Sequence, residues 1–136
     1  MMEEINPYLF VYGTLLEKDN DFARRLVESS HLYGRGKLSG RLYDTGKYPG
    51  VILNTNNDNF VYGNIYLLTN PEATLKKLDY YEGFGENEVQ PNEFVRRLTT
   101  IESLGKLLEC WVYEYNLPVD QLTQIISGDY LSREVK

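Results

Sequence analysis

Leu78-Asp79-Tyr80-Tyr81-Glu82-Gly83-Phe84 reads as the end of a helix. Its start lies at Asn70-Pro71-Glu72: a cap, a proline at the first helical position, then an acid. Leu75 and Leu78 supply an apolar stripe, and Gly83 supplies a stop. The pattern predicts a helix from Pro71 to about Tyr81. Glu82 is the residue that does not fit. A carboxylate at a helix C-terminus faces the negative end of the macrodipole. Tyr80, Tyr81 and Phe84 would also shield it from water. Both effects raise a carboxyl pKa towards the range of a general base. A solvated acid at a helix end is the ordinary reading of such a residue. The local electrostatic cost makes Glu82 the candidate for chemistry.

Outward from this helix, the chain reads mainly as strands. Tyr8 to Tyr12 is a short buried strand punctuated by Gly13. Phe22, Ala23, Leu26 and Val27 recur at helical spacing between about Asp19 and Ser30, with Asp19, Asn20 or Asp21 as the cap. Tyr33 to Tyr43 is extended but carries Gly34, Gly36 and Gly40, as where a sheet curls towards a barrel. Asp44 to Gly50 is a loop. Val51-Ile52-Leu53 and Val61 to Leu68 flank the polar turn Asn54 to Asn59, which predicts a hairpin. Phe94 to Ile101 and Leu107 to Tyr115 form a second hairpin about Ser103-Leu104-Gly105. In its second strand Trp111, Tyr113 and Tyr115 share one face, and Cys110, Val112 and Glu114 the other. Pro118 ends it, and Gln121 to Ile126 reads as one helical turn. The expected fold is α+β: a strongly bent or barrel-like mixed sheet with two outer helices. All 136 residues are read as one domain, with a core from about 8 to 115 and a tail from 116 to 136.

Composition excludes several classes. The formal net charge of −6 and the lack of any Lys/Arg run longer than a pair argue against a nucleic-acid partner. Apolar runs such as Leu9-Phe10-Val11-Tyr12 are too short to cross a membrane. Met1-Met2-Glu3-Glu4-Ile5 is acidic and does not resemble a secretory signal. One cysteine, Cys110, fits a reducing compartment, so a cytoplasmic location is expected. The oligomeric state is not legible.

Gly34-Arg35-Gly36-Lys37-Leu38-Ser39-Gly40 fails the spacing of both the dinucleotide fingerprint and the Walker loop. His31 and Cys110 are the single residues of their kinds. Cys110 lies within a strand, where an inert buried thiol is usual. A thiolate- or histidine-based zinc site lacks ligands, and carboxylate sites for harder ions stay open although the scattered acids match no loop pattern; no metal or cofactor is expected. Val11-Tyr12-Gly13-Thr14-Leu15 reads either as a plain strand end or as an anion nest, whose backbone N–H groups converge on a carboxylate.

Taken in order, these pieces resemble the gamma-glutamylcyclotransferase-like proteins, which include the plant avirulence-induced proteins. The resemblance runs from Leu9 to Tyr115, with an echo at Ser127-Gly128-Asp129-Tyr130. It rests on Phe10 to Leu15, Gly40 to Asp44 with Tyr48-Pro49-Gly50, Val61 to Tyr66, Leu78 to Gly83, Phe94 to Arg97 and Trp111 to Tyr115. It implies a small barrel with a cavity at one end. It implies that Tyr12, Gly13, Thr14 and Leu15 hold the α-carboxylate of a gamma-glutamyl group, and that Glu82 is the proton acceptor. The implied reaction is an intramolecular attack of the substrate's α-amine on its γ-carbonyl, giving 5-oxoproline and a released amine or amino acid. Such a reaction needs neither an enzyme nucleophile nor a metal. Strand alternation offers Tyr113 and Tyr115 as cavity walls or as donors to the carbonyl oxygen, or equally as core. Arg96 is read only as a partner for an acid near the cavity. Two alternatives stand beside this reading: a gamma-glutamylamine cyclotransferase acting on gamma-glutamyl-lysine or a gamma-glutamyl-protected metabolite, and a non-catalytic protein that binds a small carboxylate.

Overall fold

The computed structural model describes residues 5–13, 24, 26, 28–46, 48–53, 59–82, 84–88 and 90–130. Among them lie strands β1 (Tyr8–Val11), β2 (Ser30–Asp44), β3 (Pro49–Leu53) and β4 (Phe60–Leu68), then helix α1 (Pro71–Tyr81). Strands β5 (Phe94–Ser103), β6 (Lys106–Tyr115) and β7 (Thr123–Gln124) follow. The helix expected over Asp19 to Ser30 falls largely outside the described residues, and Arg24, Leu26 and Glu28 are helical.

The sheet closes on itself. Neighbours run β1-β4-β2-β3-β6, and β6 returns to β1 through a parallel pairing at Leu9 and Trp111. A second parallel pairing, Val51 with Glu114, joins β3 to β6. The result is a mixed five-stranded barrel, with β5 and β7 added at its edges. The glycine-rich strand behaves as its composition predicts, with a bulge between Leu32 and Gly34. Leu104 and Gly105 take φ of 53° and 75° at the β5–β6 turn, the backbone of a two-residue hairpin.

Two expectations need correction. β3 and β4 do not form a hairpin with each other. Both pair with β2, β4 along Ser30 to Ser39 and β3 along Gly40 to Asp44. A 15-residue strand is long enough to serve two partners, and a polar turn between two runs does not reveal this. Nor is Gln121 to Ile126 a helical turn. Thr123 and Gln124 pair with Asp44 and Tyr43, and the Ile125 N–H donates to the Leu42 carbonyl at 2.7 Å. Six residues have little helical stability of their own, so an open strand edge captures them. The same segment buries Tyr130 in the core.

Strand alternation sorts the core into two clusters. Phe10, Tyr12, Leu38, Val51, Val61, Ile65, Cys110 and Val112 belong to one. Leu9, Val11, Tyr113 and Tyr115 belong to the other, with Leu75 and Leu78 of α1. Successive residues of β1 and β6 therefore serve opposite faces, as the period of two requires.

Barrel closure brings backbones very close at Gly63. A Cβ there would lie 2.2 Å from the Val11 carbonyl oxygen, which no side-chain adjustment relieves. Gly63→Ala is expected to lower the unfolding free energy by about 2–3 kcal/mol in urea titration, with the loss caused by backbone displacement at β1.

Candidate active site

Helix α1 forms as its sequence dictates. The Asn70 side chain accepts the Ala73 N–H at 3.4 Å, and Pro71 opens the first turn. At the other end the Glu82 N–H donates to the Leu78 carbonyl, and the Phe84 N–H to the Asp79 carbonyl, both at 2.8 Å. Glu82 is the C-cap residue. Its side chain forms part of the wall of a cavity of about 780 Å³.

Four other parts of the chain complete this wall. Tyr12 and Gly13 follow the end of β1, Tyr48 precedes β3 and Pro49 opens it, and Tyr113 comes from β6. Glu88 and Glu93 come from the segment after α1. Three carboxylates thus line the cavity. Among the described residues no Lys, Arg or His lines it. Among these residues, too, the Glu82 carboxyl has no hydrogen-bond or ion-pair partner. Burial takes it out of water, and the Glu93 carboxylate adds like-charge repulsion. Together they push its pKa from 4.5 up to about 7.

A hydrogen-bond network fixes the surroundings. Asp79, one turn before Glu82, accepts two bonds from Arg96, from Nε at 2.8 Å and from the terminal nitrogen at 3.1 Å. It also accepts the Tyr113 hydroxyl at 2.8 Å. The Arg96 guanidinium stacks on Trp111 at 4.4 Å. The Tyr12 hydroxyl donates to the Tyr113 carbonyl at 2.6 Å and accepts the Val51 N–H at 3.3 Å. Burial above all, then the charge of Glu82, raises the Tyr12 hydroxyl far above its ordinary pKa. Burial and the Asp79 bond do the same for Tyr113. Both rings are therefore neutral walls whose protons are committed to the protein.

Of the residues singled out in the sequence, Glu82, Tyr12, Gly13 and Tyr113 meet in this one cavity. Thr14 and Leu15 lie outside the described residues. Tyr115 is not among the wall residues. Its ring packs edge-on against Phe94 at 5.5 Å and lies over Gly50. Gly13 has a packing reason beside the expected one: a Cβ would stand 2.7 Å from the Pro49 ring. Cys110 is fully buried, and burial pushes its thiol up to about 12, as expected of an inert core cysteine. Sequence reasoning gave Asp79 no role, although a spacing of three on one helix was a usable signal for the pair with Glu82. Tyr48 was read only as part of the Tyr48-Pro49-Gly50 motif and Glu93 was given no role, since 45 residues separate them and no local pattern links them.

A family model described as gamma-glutamyl cyclotransferase, AIG2-like, matches residues 9–132. The chain belongs to this gamma-glutamylcyclotransferase family. Its members named for the reaction are cyclising acyl-transfer enzymes, and this chain is an enzyme of that type. It is 36% identical over 112 residues to the gamma-L-glutamyl-butirosin B gamma-glutamyl cyclotransferase of Niallia circulans, covering 81% of this chain and 67% of that protein. It is 32% identical to the gamma-glutamylcyclotransferase family protein YtfP of Escherichia coli, covering 93% and 97% of the two chains. The solution structure of that protein superposes with a TM-score of 0.66, at 30% identity over 92% and 96% of the chains. The crystal structure of YkqA from Bacillus subtilis gives a TM-score of 0.69 at 25% identity. The match covers 93% of this chain but only 40% of that one. The barrel expected from the sequence is thus the fold of the gamma-glutamylcyclotransferase family.

In this cyclotransferase-family chain the raised pKa of Glu82 couples stability to pH. The folded value of about 7 exceeds the ordinary 4.5, so protonation favours the native state. Stability is full below about pH 4.5 and falls as pH rises to about 7. Glu82→Gln removes that dependence. It should match wild type near pH 4 and exceed it by about 1–3 kcal/mol near pH 8, measured by denaturant titration at both pH values.

Proposed function

We propose that this enzyme converts a gamma-glutamyl amide into 5-oxoproline and a free amine, with Glu82 as proton acceptor and then donor. The observation that carries the reading is the Glu82 carboxyl, without a hydrogen-bond or ion-pair partner among the described residues and pushed up to about 7, in the wall of a cavity large enough for a small amide. The Niallia circulans relative, named for this reaction on gamma-L-glutamyl-butirosin B, supports the reaction class.

The chemistry follows from the groups at hand. The substrate's α-ammonium is unreactive until it loses a proton, and Glu82 takes it. The amine nitrogen then bonds to the γ-carbon, and the tetrahedral centre collapses with cleavage of the γ-carbon to leaving-nitrogen bond. The leaving nitrogen is protonated by Glu82 as the bond breaks. The Glu82 carboxylate so regenerated accepts the second proton, which the attacking nitrogen sheds as the lactam forms, and passes it to the released amine. Both reacting groups belong to one molecule, so the enzyme's main task is to fold the substrate into an attacking conformation. In this reading Tyr12 and Gly13, with Thr14 and Leu15 after them, present backbone N–H groups to the α-carboxylate. Tyr113 is a wall, since its hydroxyl proton is held by Asp79. A cytoplasmic location is part of the reading, supported by the buried unpaired cysteine.

The acidity of the cavity favours one kind of leaving group. Glu88 and Glu93 line it with Glu82, so a leaving group that carries a further ammonium is attracted and one whose charge is a carboxylate alone is repelled. The gamma-glutamylamine reading is therefore preferred over gamma-glutamyl amino acids.

The test is 5-oxoproline release from a panel of gamma-glutamyl amines and gamma-glutamyl amino acids. Wild type is expected to release it from the amines about tenfold or more faster, with kcat/KM rising through about pH 7 as Glu82 ionises. Glu82→Gln should lose about 100-fold or more while remaining folded and able to bind. A fully active Glu82→Gln protein would exclude the mechanism. Binding without any product would favour a carboxylate-binding protein instead.

A further inference from the structure

We propose that Glu93, oriented by Tyr48, is a second carboxylate for the substrate's ammonium and works beside Glu82. The proposal rests on the cyclotransferase reading above. Glu93 lines the same cavity as Glu82, yet the reaction as written gives it no part.

The structure holds Glu93 firmly. Its carbonyl accepts the Asn116 N–H at 2.7 Å, and the Asn116 side chain donates to the Asn92 carbonyl at 3.0 Å. The buried Asn92 side chain bridges Gly85, accepting its N–H and donating to its carbonyl, each at 3.1 Å. The Tyr48 hydroxyl, itself in the cavity wall, donates to Oε2 of Glu93. Among the described residues that leaves Oε1 for a ligand. Burial, then the bond to Glu93, raises the Tyr48 hydroxyl far above its ordinary pKa, so it stays a donor.

Two carboxylates facing one cavity do what one cannot. Glu82 must both attract the ammonium and take its proton, and in taking the proton it loses the attraction. Glu93, oriented by Tyr48, offers a second carboxylate that holds the nitrogen in place through that step. The repulsion between the two acids is relieved when Glu82 is protonated, which makes Glu82 a stronger base towards the ammonium. The other titratable groups around Glu82 do not oppose this. Tyr12, Tyr48 and Tyr113 are neutral, and Glu88 is a like charge. Asp79, on the same helix, is paired with Arg96.

The test compares wild type, Glu93→Gln and Glu93→Asp. Glu93→Gln keeps the shape and an acceptor for Tyr48, whereas Glu93→Asp keeps the charge. Two ligands are used: a gamma-glutamyl amine, and its desamino analogue, the glutaric acid monoamide of the same amine, as a competitive inhibitor. Glu93→Gln is expected to raise KM for the amide about tenfold and to move the acidic limb of kcat/KM down by about half a pH unit or more. The inhibition constant of the desamino analogue should not change, and Glu93→Asp should keep the limb near its wild-type position. An unchanged KM and limb in Glu93→Gln, or equal weakening of both ligands, would overturn the proposal. Failure of wild type to release 5-oxoproline would instead overturn the cyclotransferase reading. Calorimetric titration of the same ligand pair would then decide: selective loss of the amide supports the role of Glu93, and equal loss excludes it.

Discussion

The carboxylate of Asp79 joins the parts of this molecule that must not move relative to one another. It sits in the last turn of α1 and takes Arg96 of β5 and the Tyr113 hydroxyl of β6. The Tyr113 backbone carbonyl accepts the Tyr12 hydroxyl, and that hydroxyl accepts the Val51 N–H. Hydrogen bonds linked through the Tyr113 residue therefore tie the helix end to three strands. A bidentate guanidinium–carboxylate pair fixes orientation as well as distance, and stacking on Trp111 restrains Arg96 further. Glu82 lies three residues beyond Asp79, so the anchor sets where the candidate base points.

The anchor also explains how the Glu82 carboxyl persists without a partner among the described residues. Local electrostatics and burial both oppose its ionised form. Asp79 absorbs the cation available nearby, and the cavity wall offers no other among the described residues. What remains is a carboxyl with Glu93 as its charged neighbour, pushed to about 7. The arrangement stores unfavourable solvation where a cationic ligand would relieve it. The Tyr12 and Tyr113 hydroxyls are spent on structure, so the proposed chemistry uses carboxylates and backbone N–H groups.

Much of this was legible along the chain. Helix α1 was readable end to end, because capping chemistry acts within a few residues. The two faces of β6 followed from alternation, and the inert Cys110 from its place in a strand. The resemblance of ordered motifs pointed to the family and to the barrel. Partnerships between distant segments were not legible. The Asn54 to Asn59 turn could not reveal that β2 stands as common partner to β3 and β4. The 121–126 stretch carried only a weak local preference, which strand pairing with β2 overrode. Tyr115 alternated in step with Tyr113, yet it packs on Phe94 rather than in the cavity wall. Period-two reasoning assigns a face, not a place along it.

By itself, then, the sequence determined the elements, the face of each that is buried, the helix end bearing Glu82 and the glycine after β1. These are outcomes of short-range physics: propensity, capping, periodicity and the absence of a Cβ. Only the tertiary structure decided which acids meet. It brought Glu93 and Tyr48 to the cavity, paired Arg96 with Asp79, and engaged the Tyr12 and Tyr113 hydroxyls in hydrogen bonds within the protein. The reason is that burial and Coulomb interaction depend on distance in space, and barrel closure sets those distances between residues far apart in the chain.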